Sequence, residues 1–289
     1  MKKRTFKGGV HPYDGKELTK NIPVETVAPH GDMIFPLSQH IGAPAKPLVK
    51  KGDYVKMGQI IAEAGGFISA NVVSSVSGTV KAIEPRLVPS GAMVNSIIIT
   101  NDESDTAVDG FGKDRDYTKL SKEEIRQIIK DAGIVGLGGA GFPTHVKLTP
   151  KNEDQIDYVI VNGAECEPYL TSDYRMMMEE PEKIIGGLKV ILQLFDHAKG
   201  IIAIEDNKPE AISLIGEMVE DEENIEVYPL KTKYPQGAER TLIYAVSGRE
   251  INSTMLPADA GSIVDNVDTV ISTYMAVCKS IPLIRRIVT

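Results

Sequence analysis

Between residues 158 and 230 short apolar runs alternate with helical ones, and that rhythm narrows the fold more than any other feature. Residues 158–162, 200–205 and 225–230 have the length and composition of strands, while 181–195 and 209–219 carry apolar residues at helical spacing. Pro181 stands where a helix tolerates proline best, in the first turn. Strands separated by helices of this length imply βαβ units and an open α/β sheet. Two more helices are expected beyond it, over 238–246 with Gly248 as its stop and over 264–279, with a loop from 249 to 262 between them.

The first hundred residues follow another rhythm. Short β-type runs at 32–37, 54–55, 59–62, 78–83 and 95–100 are broken by Gly, Pro, Asn and Asp, the pattern of a small barrel or sandwich. Gly52-Asp53 and Gly58-Gln59 set tight turns that fold a ribbon back on itself. The stretch 47–62 resembles the hammerhead half of biotinyl/lipoyl-type domains, and 74–80 the strand after their carrier hairpin. Where such a domain shows its modifiable lysine, residues 67–73 contain none, so a partner-facing barrel is expected instead of a swinging arm. Residues 1–20, rich in Gly, Lys and Pro, are expected to form an extended or clasp-like segment. The polar, acidic stretch 101–120 is read as a linker, which gives a barrel domain over 1–105 and an α/β domain over 116–289.

Charge and composition exclude several classes. With 32 basic against 40 acidic residues the net charge is −8, which argues against nucleic-acid binding through phosphate neutralisation. No run approaches the roughly 18 apolar residues of a membrane span. The basic start, Met-Lys-Lys-Arg, lacks the apolar core of a signal peptide behind it. Cys166 and Cys278 are expected as reduced thiols, and the scattered histidines give no metal site.

Four segments carry chemistry. Ser121 and Glu124 form a capping box before the stripe Ile125, Ile128, Ile129 and Ala132, which Gly133 can end. The loop that follows, 136–144, places Gly136, Gly138, Gly139 and Gly141 where backbone N–H groups could hold a phosphate or lie against a ring; a plain surface loop is the alternative. The Asn-Gly-Ala-Glu-Cys-Glu-Pro motif at 162–168 begins as a strand ends, where open sheets bind ligands, and it offers an amide and two carboxylates. Its acidic residues would equally suit a helix N-terminus. Residues 234–242 put a glycine and a carboxylate at a helix start, and 265–269 open the last helix with amide and hydroxyl groups.

Together with the Phe-Lys-Gly-Gly-Val-His-Pro motif at 6–12, and with 205–211, 233–239 and 256–260, these motifs resemble the C subunit of the Rnf electron-transport complex. The NADH-binding flavoprotein subunit of respiratory complex I is a more distant likeness. The resemblance implies an N-terminal barrel-sandwich followed by a Rossmann-like α/β domain that binds FMN without a covalent bond and stacks NAD(H) on it. On this sequence Gly136, Gly138, Gly139 and Gly141 would lie along FMN and nucleotide, and Lys147, Asn266 and Thr269 would serve the phosphate. Asn162 and Glu165 would meet the ribityl chain and ring, and Tyr234, Gly237 and Glu239 the isoalloxazine side. Phe142 and Glu167 would face the nicotinamide nucleotide, with Glu165 and Glu167 as the candidate catalytic carboxylates. At Leu137 the complex I flavoproteins carry Arg, and at Ala164 and Ala238 acidic residues.

The implied function is hydride transfer between NAD(H) and FMN in a ferredoxin:NAD oxidoreductase, peripheral on the cytoplasmic face of the membrane. Its partners would be the other subunits of that complex. The family's 4Fe-4S clusters are expected only in a C-terminal region absent here, because no Cys-rich run precedes Thr289. The alternatives are the cobalamin reductase of metabolosomes, which shares this layout, and a non-catalytic docking module of an electron-transfer complex.

Overall fold

The computed structural model describes residues 3–289; Met1 and Lys2, part of the basic start, lie outside the described residues. The chain packs as two compact units. One holds residues 25–147 and 275–286, and the other holds the chain up to Val24 together with 148–274 and 287–289.

The unit formed by 25–147 and 275–286 is built on seven strands: β1 (Asp32–Pro36), β2 (Lys46–Pro47), β3 (Tyr54–Val55), β4 (Ile60–Glu63), β5 (Val72–Val73), β6 (Gly78–Leu87) and β7 (Met93–Asn101). They make two antiparallel sheets, β1-β7-β6-β3 and β2-β4-β5. Phe35, Val55, Ile61, Val72, Val80, Ile97 and Ile99 close the core. Pro85 is tolerated because β3 pairs only with the first residues of β6; farther along, β6 has β7 as its one neighbour and no second ladder is broken. The expected turns are present, with Gly52 and Gly58 at φ 93° and 83°.

The stretch read as a linker packs against these strands. Ala107 bridges Met57, and a side chain on Gly58 would meet the Phe111 ring at 2.9 Å. After it come α1 (Lys122–Asp131) and α2 (Thr144–Lys147). The Ser121/Glu124 capping box forms in both directions, and Gly133 ends the helix region at φ 67°. The glycine loop is a hairpin closed by Gly136 N–H donating to Phe142 O at 2.9 Å. Gly138 and Gly139 are exposed at its tip. Gly141, at φ 68°, is buried where an added Cβ would lie 3.1 Å from Gln39 O.

The other unit carries four parallel strands, β8 (Tyr158–Gly163), β9 (Lys199–Glu205), β10 (Ile225–Leu230) and β11 (Ser262–Asn266). Their order is β10-β9-β8-β11, so the chain starts in the middle, builds outward on one side and returns to the other. Helices α3 (Ser172–Glu179), α4 (Pro181–Leu192), α5 (Pro209–Met218), α6 (Glu239–Ser247) and α7 (Val267–Lys279) follow the strands; α7 packs in this unit through Tyr274. Ile160, Ile201, Ala203, Leu230, Leu242 and Val264 fill the core between sheet and α6. Gly187 lets α4 touch α7, since a Cβ there would fall 2.2 Å from Val270 O.

Two expectations change here. Residues 262–266, read partly as loop and partly as helix, form β11, because only Ile263 and Val264 in this five-residue stretch are apolar, too few to mark a strand beside a long helical pattern until β8 is there to pair with it. Helix α3 has no counterpart in the sequence reading; its three consecutive methionines, two of them buried, carry no clear stripe. The clasp is present: Arg4 bridges Leu230 in parallel, Val10 bridges Tyr234, and a 3-10 turn follows at Lys16–Leu18. Among the described residues no helix is long and apolar enough to cross a membrane.

Candidate functional site

The carboxyl ends of β8 and β11 lie side by side, with Asn162 opposite Asn266 in register. Chain leaving β8 goes on through α3 and α4 to β9, whereas chain leaving β11 runs straight into α7, so strand order reverses at this sheet end, the position at which open α/β sheets bind ligands. Both asparagines are spent on shaping it. Asn162 accepts from Ala164 N–H at 3.2 Å and donates to Gly237 O at 2.8 Å. Asn266 accepts from Asp268 N–H at 2.9 Å, capping α7, and donates to Asp173 Oδ2 at 2.7 Å.

Glu165 follows with a left-handed backbone, φ 47°. It is 5% exposed, and one carboxylate oxygen accepts from Asp173 N–H at 2.7 Å and Tyr174 N–H at 3.3 Å, at the start of α3. Its other oxygen lies 3.3 Å from Lys16 Nζ, which also donates to Glu167 O and Leu170 O. Lys208, 1% exposed, donates to Ala164 O at 2.6 Å and stands 3.8 Å from Glu205. Two buried lysines from separate parts of the chain therefore hold the main chain of the 164–170 loop. The Glu167 side chain on that loop is exposed. A cavity of about 90 Å³ borders the cluster, lined in part by Asp14, Lys16, Lys20 and Lys208.

The carboxylates and lysines of the cluster are largely buried, and proton affinities respond. Burial pushes Glu165 up despite Lys16 and Lys208, and it pushes Glu205 up to about 7. Asp173 rises to about 8 through burial and the neighbouring Glu165 charge. Lys208 is held below its ordinary value by the same burial. These shifts share one cause: burial penalises each charge, so every one of them favours the neutral form.

The third strand end contributes 234–239. Gly237 N–H meets Cys166 Sγ at 3.3 Å, and an added Cβ at Gly237 would press on Ala164 Cβ at 3.2 Å and on Asn162 Oδ1 at 3.4 Å. Gln236 is fully buried, and its Nε2 has no hydrogen-bond partner among the described residues. Tyr234 is exposed and Glu239 half-buried at the start of α6. Thr269 is buried in the first turn of α7. Cys166 and Cys278 are free thiols, both shifted upward by burial.

Of the residues expected from the sequence, Asn162 is bonded to Gly237, Glu165 and Asn266 meet through Asp173, and the β8–β11 register sets the two pairs side by side. Glu167, Tyr234, Glu239 and Thr269 extend from the same loops and helix start. Gly136, Gly138, Gly139, Gly141, Phe142 and Lys147 belong to the unit that contains 25–147. Sequence reasoning gave no role to Lys16, Asp173, Glu205, Lys208 or Gln236. Lys16 lay in the clasp, Glu205 and Lys208 at the ends of one tetrapeptide, and only a fold shows that their charges converge.

Residues 129–275 match the family described as the Nuo51 FMN-binding domain, and residues 4–104 match the RnfC barrel sandwich hybrid domain. The chain is 47% identical over 287 residues to the C subunit of the proton-translocating ferredoxin:NAD(+) oxidoreductase complex of Clostridium ljungdahlii, covering 99% of this chain and 62% of that protein. The Na(+)-translocating counterpart of Acetobacterium woodii is 44% identical, covering 100% of this chain and 65% of that protein. The chain thus spans less than two thirds of these relatives. An NAD+-reducing NiFe-hydrogenase is similar in structure at a TM-score of 0.49 and 25% identity, over 54% of this chain and 30% of that one. With the flavin-domain match over half its length, the chain belongs to the family of the Nuo51 FMN-binding domain, and it is similar from end to end to the C subunits of these ferredoxin:NAD(+) oxidoreductase complexes.

Proposed function

We propose that this chain is the NADH- and FMN-binding part of a membrane-associated ferredoxin:NAD oxidoreductase, peripheral on the cytoplasmic face, and that it carries hydride between NAD(H) and FMN. The observation that carries the reading is the union of Asn162, Glu165, Gly237 and Asn266 at the carboxyl end of a parallel sheet, within residues matching an FMN-binding family. The order β10-β9-β8-β11 supports a Rossmann-like half, whose ligands sit where strand order reverses.

The residues fit a flat, phosphorylated ring. Gln236 supplies a buried amide donor beside Gly237, and Gly237 keeps the loop face free of a side chain. Strand β11 runs directly into the N-terminus of α7, the end of a helix that favours phosphate. Bound FMN would supply the hydride chemistry itself. The protein's share is alignment and exclusion of water. Asn266 and Thr269 serve the phosphate end, Asn266 by capping the start of α7; Asn162 and Glu165 fix the loop against ribityl chain and ring. Tyr234, Gly237 and Glu239 border the ring, and the exposed Glu167 accepts from the nicotinamide carboxamide.

For Gly136, Gly138, Gly139, Gly141, Phe142 and Lys147 the same proposal rests on the family match over 129–275. The 4Fe-4S clusters belong to the proposal too, for the part of the relatives' length that this chain does not cover, as do the other subunits as partners. Glu167→Gln tests the assignment. Its NADH dissociation constant should rise at least about tenfold, the loss of one charge-assisted hydrogen bond, while FMN affinity by fluorescence quenching stays level. Equal losses of both would refute the role given to Glu167.

A further inference from the structure

We infer that Lys16, on the N-terminal clasp, is a positioning residue for nucleotide binding: it sets the conformation of the 164–170 loop and so the placement of Glu165 and Glu167. The inference rests on the flavin and NAD(H) reading above. Lys16 is 6% exposed, and its three ammonium protons have three acceptors on one loop: the Glu165 carboxylate, Glu167 O and Leu170 O. Donors and acceptors match in number, so the side chain is a clamp with nothing left over.

The clasp is seated to hold it there. Tyr169 N–H donates to Asp14 O at 2.6 Å, and the Thr19 and Thr171 hydroxyls meet at 2.7 Å. Gly15, at φ 60°, leaves the space that the Tyr169 ring fills, 2.5 Å from where a Cβ would stand. Arg175 reaches Lys20 O at 2.9 Å. Segments about 150 positions apart in sequence thus form one surface, whose contacts fall mainly on 165–175.

The loop needs such a hold. Glu165 and Tyr169 both have positive φ, 47° and 68°, which are strained for side chains of this kind. Glu167 lies between them with its carbonyl fixed and its carboxylate exposed. Removing the ammonium frees the loop to relax, which moves Glu167 away from a bound nicotinamide more than it disturbs the remainder of the sheet end.

The test uses the full chain with Lys16→Met, which keeps length and removes charge, and Lys16→Arg, which keeps charge and donors. Amide hydrogen exchange is measured without flavin, and FMN and NADH dissociation constants and the flavin midpoint potential with it. Lys16→Met should speed exchange across 164–171 at least about tenfold with β8 and β9 unchanged, and weaken NADH at least about tenfold while shifting the potential. Lys16→Arg should recover part of both. Unchanged exchange at 164–171, or faster exchange with NADH affinity and potential intact, would overturn the inference. Should wild-type protein take up no FMN, that result counts against the flavin reading, and exchange alone decides whether Lys16 clamps the loop. If Lys16→Met does not fold, Lys16→Arg decides: wild-type NADH affinity despite faster loop exchange overturns the proposal, and matched losses support it.

Discussion

Lys208→Met should destabilise the protein by about 3–5 kcal/mol at pH 8 and by much less at pH 5.5, the range for breaking a buried ion pair from one side. Lys208 is 1% exposed; its ammonium serves Ala164 O at 2.6 Å and Asn207 Oδ1 at 2.9 Å and faces Glu205 at 3.8 Å. Methionine keeps most of the volume, so the loss is one cation and its donors. Glu205 already sits at about 7, well above an exposed carboxylate, and losing the cation raises it further. A carboxylate whose folded pKa is raised holds more protons folded than unfolded, so its contribution to stability falls as pH climbs from about 4.3 through the folded value. Glu165 and Asp173, also raised and also facing Lys208, act with the same sign.

The penalty of the variant therefore grows with pH in that window. Urea denaturation followed by far-UV circular dichroism at the two pH values measures it. Adding Glu205→Gln, which keeps an acceptor for Lys233 N–H, should recover at least about half of the loss at pH 8, because it removes the stranded charge. The same loss at both pH values, with no recovery in the double variant, would refute the electrostatic reasoning.

Two glycines give further expectations. Gly187→Ala places a Cβ 2.2 Å from a backbone oxygen of α7 and should cost at least about 3 kcal/mol, seen as a drop in melting temperature or loss of soluble protein. Gly237→Ala meets its neighbours at 3.2–3.4 Å, so it should cost only about 1 kcal/mol in stability yet weaken FMN severalfold by shifting Ala164 and Asn162; calorimetry and fluorescence quenching separate the two effects.

The βαβ rhythm was legible because β8, β9 and β10 are compact apolar runs separated by well-bounded helices, two of them opening on proline. β11 was not, since five residues give too few periods to tell a strand from the helix that follows directly. That one strand matters most for the site: it brings Asn266 beside Asn162 and creates the reversal of strand order. The polar loops were visible as motifs at 162–168 and 234–239. Their supports were not, because Lys16 reaches Glu165 across some 149 positions, and a lysine reads as a solvated surface residue until its burial is known. Chemistry that depends on local backbone could be found in the sequence; chemistry that depends on buried charges meeting from remote segments became visible only in the fold.

Anaerobic titration of the FMN-loaded chain with NADH, followed at the flavin band near 450 nm, tests the central claim most directly. Uptake of one FMN per chain and bleaching by one equivalent of NADH is the expected result. Failure to retain FMN at micromolar protein, or an oxidised spectrum that persists under excess NADH, would contradict it.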